Sequence, residues 1–348
     1  MQGQFLCVAA GARRPLRVLL VLLLALGVTL PAAAQEITTA SRDSRERILI
    51  DGELFCDLVY GDESPYGEIP RPIIYPIIGP TGAEMTRHYP MRHDVEGEEH
   101  DHPHHRSLWF AHFVNGIDFW TQGEGRGRIV VDGGDGWSVD DDGYCSVHFR
   151  TSWIGPDGDR VLDAGQVYGF TVLDDGSRAI DIEVELTPGV DAERVVLADT
   201  KEGTMAIRTH PALRLVGEHA TGHALNSEGE ADRDLWGKRA AWVAYWGTID
   251  GEVCGVAIFD HPDNLRHPTW WHARDYGLIA ANPFGAHDFE GAEPGTGDYT
   301  LEWGETLTLQ YRFVFFAGDA EEADIAGKYA QWVEETTEGE AEGDASGE

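Results

Sequence analysis

The strongest constraint on this chain is a period of two. Residues 177–186 set Ile180, Ile182, Val184 and Leu186 against charged neighbours, and residues 144–154 do the same with Cys145, Val147, Phe149, Thr151 and Trp153. Alternate side chains of an extended backbone point to opposite faces, so each run reads as a strand with one buried face. Asp51-Gly52, Pro156-Asp157-Gly158-Asp159 and Asp174-Asp175-Gly176 mark turns between such runs. Turn signals spaced by roughly 8–12 residues, without helices between them, argue for a sandwich or barrel. Further strands are expected at 47–50, 54–60, 128–131, 161–172, 195–198, 206–208, 240–245, 253–259 and 278–281, with a hairpin-like pair over 297–316. The prolines of the apolar segment 70–80 exclude a central ladder position and suggest an edge. A helical period appears only over 320–333, where Ala323, Ile325, Ala326, Tyr329, Ala330 and Val333 form one stripe. The expected fold is all-β: one large, twisted antiparallel β-sandwich over 48–333, ending in a short C-terminal helix.

The two ends differ in kind from this middle. Arg13, Arg14 and Arg17 precede an apolar run from Val18 to Leu30, which ends at Pro31-Ala32-Ala33-Ala34-Gln35. That order is the anatomy of a secretory signal, and about 13 apolar residues fall short of the roughly 20 that a membrane span needs. Residues 1–35 are therefore expected to be removed on export to the periplasm or beyond. Residues 36–47 are expected to form a loose leader, and 334–348, acidic and without an apolar face, to be disordered. The formal net charge is −35, and the only lysines are Lys201, Lys238 and Lys328. Such a chain repels nucleic acid and anionic lipid. Neither is an expected partner, and no membrane insertion is expected once the signal is gone. Cys56, Cys145 and Cys254 are too few, and odd in number, for a disulfide framework.

Candidate chemistry concentrates between His100 and Trp120, which hold His100, His102, His104, His105, His112, Arg106, Trp109 and Trp120. Imidazole is the commonest transition-metal ligand and the commonest acid–base group near neutral pH. In an extended segment His100 and His102 share a face. One expectation is thus a metal site of His100, His102 and His104, or with His112 replacing His104. A divalent metal is the one cofactor this run suggests, although its spacing matches no established zinc motif. The other expectation is acid–base work by His102 or His105, with Arg106 holding a substrate carboxylate and Trp109 stacking on a sugar ring.

Two later stretches repeat these ingredients. One is His267-Pro268-Thr269-Trp270-Trp271-His272-Ala273-Arg274; the other runs from Asn226 and Glu228 to Lys238. Loops at one end of a β domain commonly build a single site. The expected pocket therefore combines 84–120, 226–239 and 261–285. Its catalytic candidates are His102, His105, Arg106 and His272. Its substrate contacts are Glu84, Arg87, His104, Trp109, His112, Asn115, Asn226, Glu228, Lys238, His267, Trp271 and Arg274. No GxSxG, P-loop or strand–GxGxxG–helix unit is present.

Arg71-Pro72-Ile73-Ile74-Tyr75-Pro76-Ile77-Ile78-Gly79-Pro80, Asp101-His102-Pro103-His104-His105-Arg106-Ser107-Leu108-Trp109-Phe110-Ala111-His112, Asn115-Gly116-Ile117-Asp118-Phe119-Trp120 and His267-Pro268-Thr269-Trp270-Trp271-His272 resemble a secreted bacterial family of unknown function. That family is often labelled "methane oxygenase PmoA", and the resemblance covers most of 48–318. With no membrane span after the signal, methane oxidation and its copper site are not carried over. Gly304-Glu305-Thr306-Leu307-Thr308-Leu309-Gln310-Tyr311-Arg312 is similar to the final strand of the galactose-mutarotase-like superfamily. That resemblance implies a β-supersandwich with histidines and carboxylates on a concave, sugar-binding face. The expected function is an exported carbohydrate-active protein, an enzyme of epimerase, lyase or hydrolase type with a histidine acid/base. A non-catalytic glycan-binding protein and a His-ligated metal-dependent oxidoreductase are the alternatives.

Overall fold

Asp51 and Gly52 have φ of 52° and 81°. Two consecutive residues with positive φ suit the right-handed twist of a tight hairpin, and they join strands Arg45–Ile50 and Glu53–Val59. The same device, a short Gly- or Asp-bearing turn between alternating runs, builds most of the chain. The computed structural model describes residues 35–61, 64–95, 98–139 and 144–345. Apart from Gln35, the expected signal lies outside them, as do the last three residues of the expected tail.

Three antiparallel sheets account for the described strands. The first runs in the order Ile37–Ser41, Arg45–Ile50, Glu53–Val59, Ile73–Ile77, Leu108–Ala111, Thr204–Arg208, Leu278–Asn282 and Trp270–Trp271. The second runs His223–Asn226, Trp242–Ile249, Glu252–Asp260, Leu307–Ala317, Arg178–Pro188, Arg160–Val172, Cys145–Ile154 and Arg128–Val139. A smaller third sheet holds Tyr299–Glu302, Arg194–Leu197, Phe113–Val114 and Ile117–Asp118. The all-β expectation holds.

The two large sheets share one apolar core. Phe55 of the first sheet packs edge-on against Phe170 and Phe315 of the second, with ring centroids 6.2 and 6.3 Å apart. A second apolar cluster lies on the other side of the second sheet. There Trp242, Phe259, Val314 and Phe316 pack beneath Ile325, Tyr329 and Trp332 of the C-terminal helix Ile325–Ala345. Strands Glu252–Asp260 and Leu307–Ala317 are thus covered on both faces. That explains the near-continuous burial of Glu252–Asp260 and of 311–316. Among the described residues no helix is long and apolar enough to cross a membrane.

Several expectations are corrected. The supposed loose leader contains a strand, Ile37–Ser41, because Ile37 tucks into the core and the segment pairs with Arg45–Ile50 from Ile37↔Ile50 to Ser41↔Glu46. The proline-rich segment lies inside the first sheet, not at its edge. Pro76 falls where the ladder to Glu53–Val59 shifts register, and the other neighbour pairs only with Ile73 and Ile74, so no ladder bond needs its missing N–H. The pair over 297–316 is not a hairpin: Tyr299–Glu302 joins the third sheet and Leu307–Ala317 the second. The helix runs past Val333 to Ala345, where disorder was expected; 334–345 is rich in good helix formers that continue an anchored helix.

Phe55 is fully buried between the sheets. Its replacement by Ala is expected to cost about 3–5 kcal/mol, and by Leu less than half of that, in urea unfolding followed by circular dichroism. Equal costs for both would mean that this contact does not tie the sheets together.

Candidate functional site

The segment 98–107 crosses the first sheet without regular structure, so its backbone groups need partners from side chains. Two buried arginines, Arg71 and Arg87, supply some of them, and a third, Arg208, holds side chains of the segment. Arg71 donates to Phe119 O and His104 O, each at 2.7 Å. Arg87 donates to Tyr89 O at 3.2 Å and His102 O at 3.0 Å, and it pairs with Asp101. Arg208, the one charge in the apolar strand Thr204–Arg208, reaches Asp101 Oδ1 and His105 Nδ1, both at 3.3 Å. Burial lowers the Arg71 pKa to about 9, with the Arg106 charge adding to the effect. Burial likewise brings Arg208 to about 10, helped by Arg87. For Asp101 burial pushes upward, but Arg208, Arg87 and the bonded His102 outweigh it and hold the carboxylate below its ordinary range.

On this frame stands a bent column of near-parallel rings, in which Tyr276 also lies 6.4 Å from His105. Tyr276 stacks on His102 at 5.3 Å, His102 on His105 at 4.8 Å, and His105 on Trp109 at 5.5 Å, with interplanar angles of 12°, 7° and 20°. The guanidinium groups of Arg208 and Arg274 lie 4.6 and 5.1 Å from the Tyr276 ring centre. His105 is buried, whereas the His102 side chain is 41% exposed. His102 donates from Nδ1 to Asp101 Oδ2 at 2.6 Å. Its φ is 43°, a left-handed value that few non-glycine residues adopt and that tends to cluster at functional sites.

Glu202 is the neighbour that sequence reasoning missed. It is half-buried, and burial raises its pKa; Lys201 and His102 oppose this, while Asp118 and Asp288 reinforce it. Its charge also acts on Tyr276. The loop carrying it is fixed from beneath. His112 donates from Nε2 to Ala198 O at 2.8 Å, His272 from Nδ1 to Lys201 O at 2.9 Å, and Asn282 to Thr200 O at 2.8 Å. A Cβ on Gly203 would sit 2.1 Å from His112 Nδ1, so only glycine lets the loop close on that ring. Arg274 completes the group by donating to His272 Nε2 at 3.4 Å.

The structure thus gathers Arg87, His102, His104, His105, Trp109, His272 and Arg274, with His112 below them. Other candidates sit elsewhere. Glu84 pairs with His88 at 2.9 Å, and His100 stacks on Tyr89 at 4.5 Å. Asn115 occupies an exposed turn and accepts from Val196 N. Asn226 accepts from the backbone N–H groups of Glu228 and Glu230, and Lys238 pairs with Glu230 at 3.0 Å. His267 bonds to the buried Asp260 at 2.7 Å. Trp271 is core, with Nε1 on Ala240 O at 2.9 Å. Arg106 points into a separate cleft. Tyr276 and Arg208 were visible in the sequence only as an aromatic beside Arg274 and as a charge ending an apolar strand.

The expected metal site of His100, His102 and His104 is not assembled. His100 turns away to Tyr89, and the rings of His102 and His104 meet edge to face at 5.7 Å. Among the described residues no group of three or more His, Cys, Asp or Glu side chains converges to hold a metal ion.

Burial keeps the supporting histidines neutral. It lowers His104 and His112 to about 4 and His272 to about 3, and it holds His105 well below its ordinary value. The unfolded chain protonates these imidazoles near pH 6.5, the folded chain only at much lower pH, so stability is lost as pH falls from about 6.5 to about 4. The expected slope is about 1.4 kcal/mol per pH unit for each such histidine, read from urea unfolding as a function of pH. A flat profile over that window would contradict the neutral assignment.

The comparisons with known proteins add context to this geometry. No curated protein matches the chain. Among solved structures, the chain is similar to the crystal structure of the GalM/aldose epimerase homologue from C. elegans. The match has 9% identity over 82% of this chain and 100% of that one, and a TM-score of 0.32. The methane-oxygenase label attached to the motifs quoted above finds no support in the family matched. Over residues 46–330 the chain matches the model of a family of unknown function, DUF6807, and it belongs to that family.

Proposed function

We propose that the protein is an exported enzyme that transfers protons on a carbohydrate, with His102 as the base and Glu202 as the acid. The observation that carries this reading is the Asp101–His102 pair. Its 2.6 Å bond fixes the Nδ1–H tautomer and leaves Nε2 of an exposed imidazole with a free lone pair. The rings of Tyr276 and His105 pack against that imidazole. A base held in one orientation by a carboxylate, itself locked by two arginines, is pre-set for proton abstraction. Glu202 supplies the opposite role, burial moving its pKa upward, the direction a general acid needs. The donors of Arg274 and the His104 imidazole stand beside them, and a polyhydroxylated ring is a ligand class that satisfies many donors and acceptors at once. The signal-like N-terminus supports export.

The test is a panel of aldoses and glycosides followed by proton NMR in D2O, which reports anomer exchange, deuterium uptake and bond cleavage together. At least one sugar is expected to turn over. On it, His102→Gln and Glu202→Gln are each expected to lower kcat by roughly 10²–10⁴-fold. His267→Gln, which lies on Asp260 and away from the column, is expected to keep kcat. Full activity in His102→Gln overturns the assignment. Sugars that stabilise the chain without being changed would leave binding alone as the function.

A further inference from the structure

A cleft of about 740 Å³ opens beside the histidine segment, on the side of Pro103 and Arg106. Its lining sets Arg106, Arg126 and Arg128 against Glu68 and Glu124, beside Tyr66 and Tyr89, in a chain with 61 acids and only 26 lysines and arginines. Arg106 is the singular feature. It is 7% exposed, and its Nε donates to Gln122 Oε1 at 3.1 Å. Its Nη1 is buried and meets no hydrogen-bond acceptor among the described residues. Glu68 stands close enough for its charge to act on Arg106, yet no ion pair joins the two. Arg126 is engaged with Asp118 at 3.0 Å. A buried guanidinium N–H without an acceptor is costly, and planar carboxylates are the anions that such a fork binds best.

We infer that this cleft binds the carboxylate of a small acidic carbohydrate, a uronic acid, with the Arg106 guanidinium as the principal donor through Nη2, which is not among the buried atoms and has no acceptor among the described residues. A single unpaired guanidinium edge beside Glu68 and Glu124 suits a monoanion and disfavours a dianion such as phosphate. The volume accommodates a sugar ring as well as its carboxylate, and the half-buried Tyr66 and Tyr89 supply wall surface and hydroxyls. The carbohydrate half of this inference rests on the function proposed above; the carboxylate half stands on Arg106 alone.

Isothermal titration calorimetry of the full chain with galacturonate, galactose, acetate and sulfate tests it. Galacturonate is expected to bind at least tenfold more tightly than each of the other three. Arg106→Gln is expected to weaken galacturonate by roughly 10- to 100-fold, the usual effect of losing a charge-assisted pair. Glu68→Gln is expected to tighten it severalfold by removing a competing charge, and this variant decides the matter if Arg106→Gln does not fold. His102→Gln is expected to leave the Kd unchanged even while it lowers kcat, which separates this cleft from the acid–base site. Equal binding of galactose and galacturonate overturns the proposal. So does sulfate or acetate binding as tightly as galacturonate, or indifference to both Arg106→Gln and Glu68→Gln.

Discussion

An irregular backbone segment cannot be buried unless its carbonyls find donors. In this protein that requirement falls on the stretch around His102, where Arg71 and Arg87 meet it and Arg208 braces the Asp101 carboxylate beside them. Guanidinium suits the task because its several N–H groups fan out from one rigid plane and stay charged when buried. The cost of burying three cations is offset by Asp101 and by the carbonyl dipoles they engage. Remove those arginines, and neither the turn at His102 nor the stack built upon it has a reason to persist.

The same frame separates the histidines by role. Those beneath the surface are held neutral and act as rigid, polar packing: His112 props the loop of Glu202, His272 ties Lys201, and His105 carries the ring above it. Within this group, His102 combines a fixed orientation with exposure to solvent. Clusters of imidazole invite a metal reading, but packed rings at these distances present faces and edges to one another, not converging lone pairs.

Most of the architecture was legible because a period of two is a direct consequence of strand geometry, and the Asp–Gly turns are punctuated in the sequence. What misled was local. Pro76 reads as a sheet edge until its place at a register shift is seen, and 334–345 reads as a tail because propensity does not reveal that Ile325 and Trp332 anchor the helix ahead of it. Within the site, the importance of 100–112 followed from its composition. Arg208 and Glu202 did not, since a single charge at the end of an apolar strand or in a turn looks like ordinary surface until the fold buries it. Asn226, Glu228 and Lys238 failed to join the group for the opposite reason. They satisfy one another in a turn of the second sheet, whereas the ring column grows from the first.

The column has a consequence for how the molecule comes into being. Tyr276 and His102 are remote in sequence, and strand Thr204–Arg208 must insert between Leu108–Ala111 and Leu278–Asn282 before they can meet. The loop-closure entropy of that insertion has to be overcome first. A chain still emerging from synthesis therefore lacks the assembled rings. They come together only when the sheet is complete, and any ligand held across them would then act as a clasp on the finished strand order.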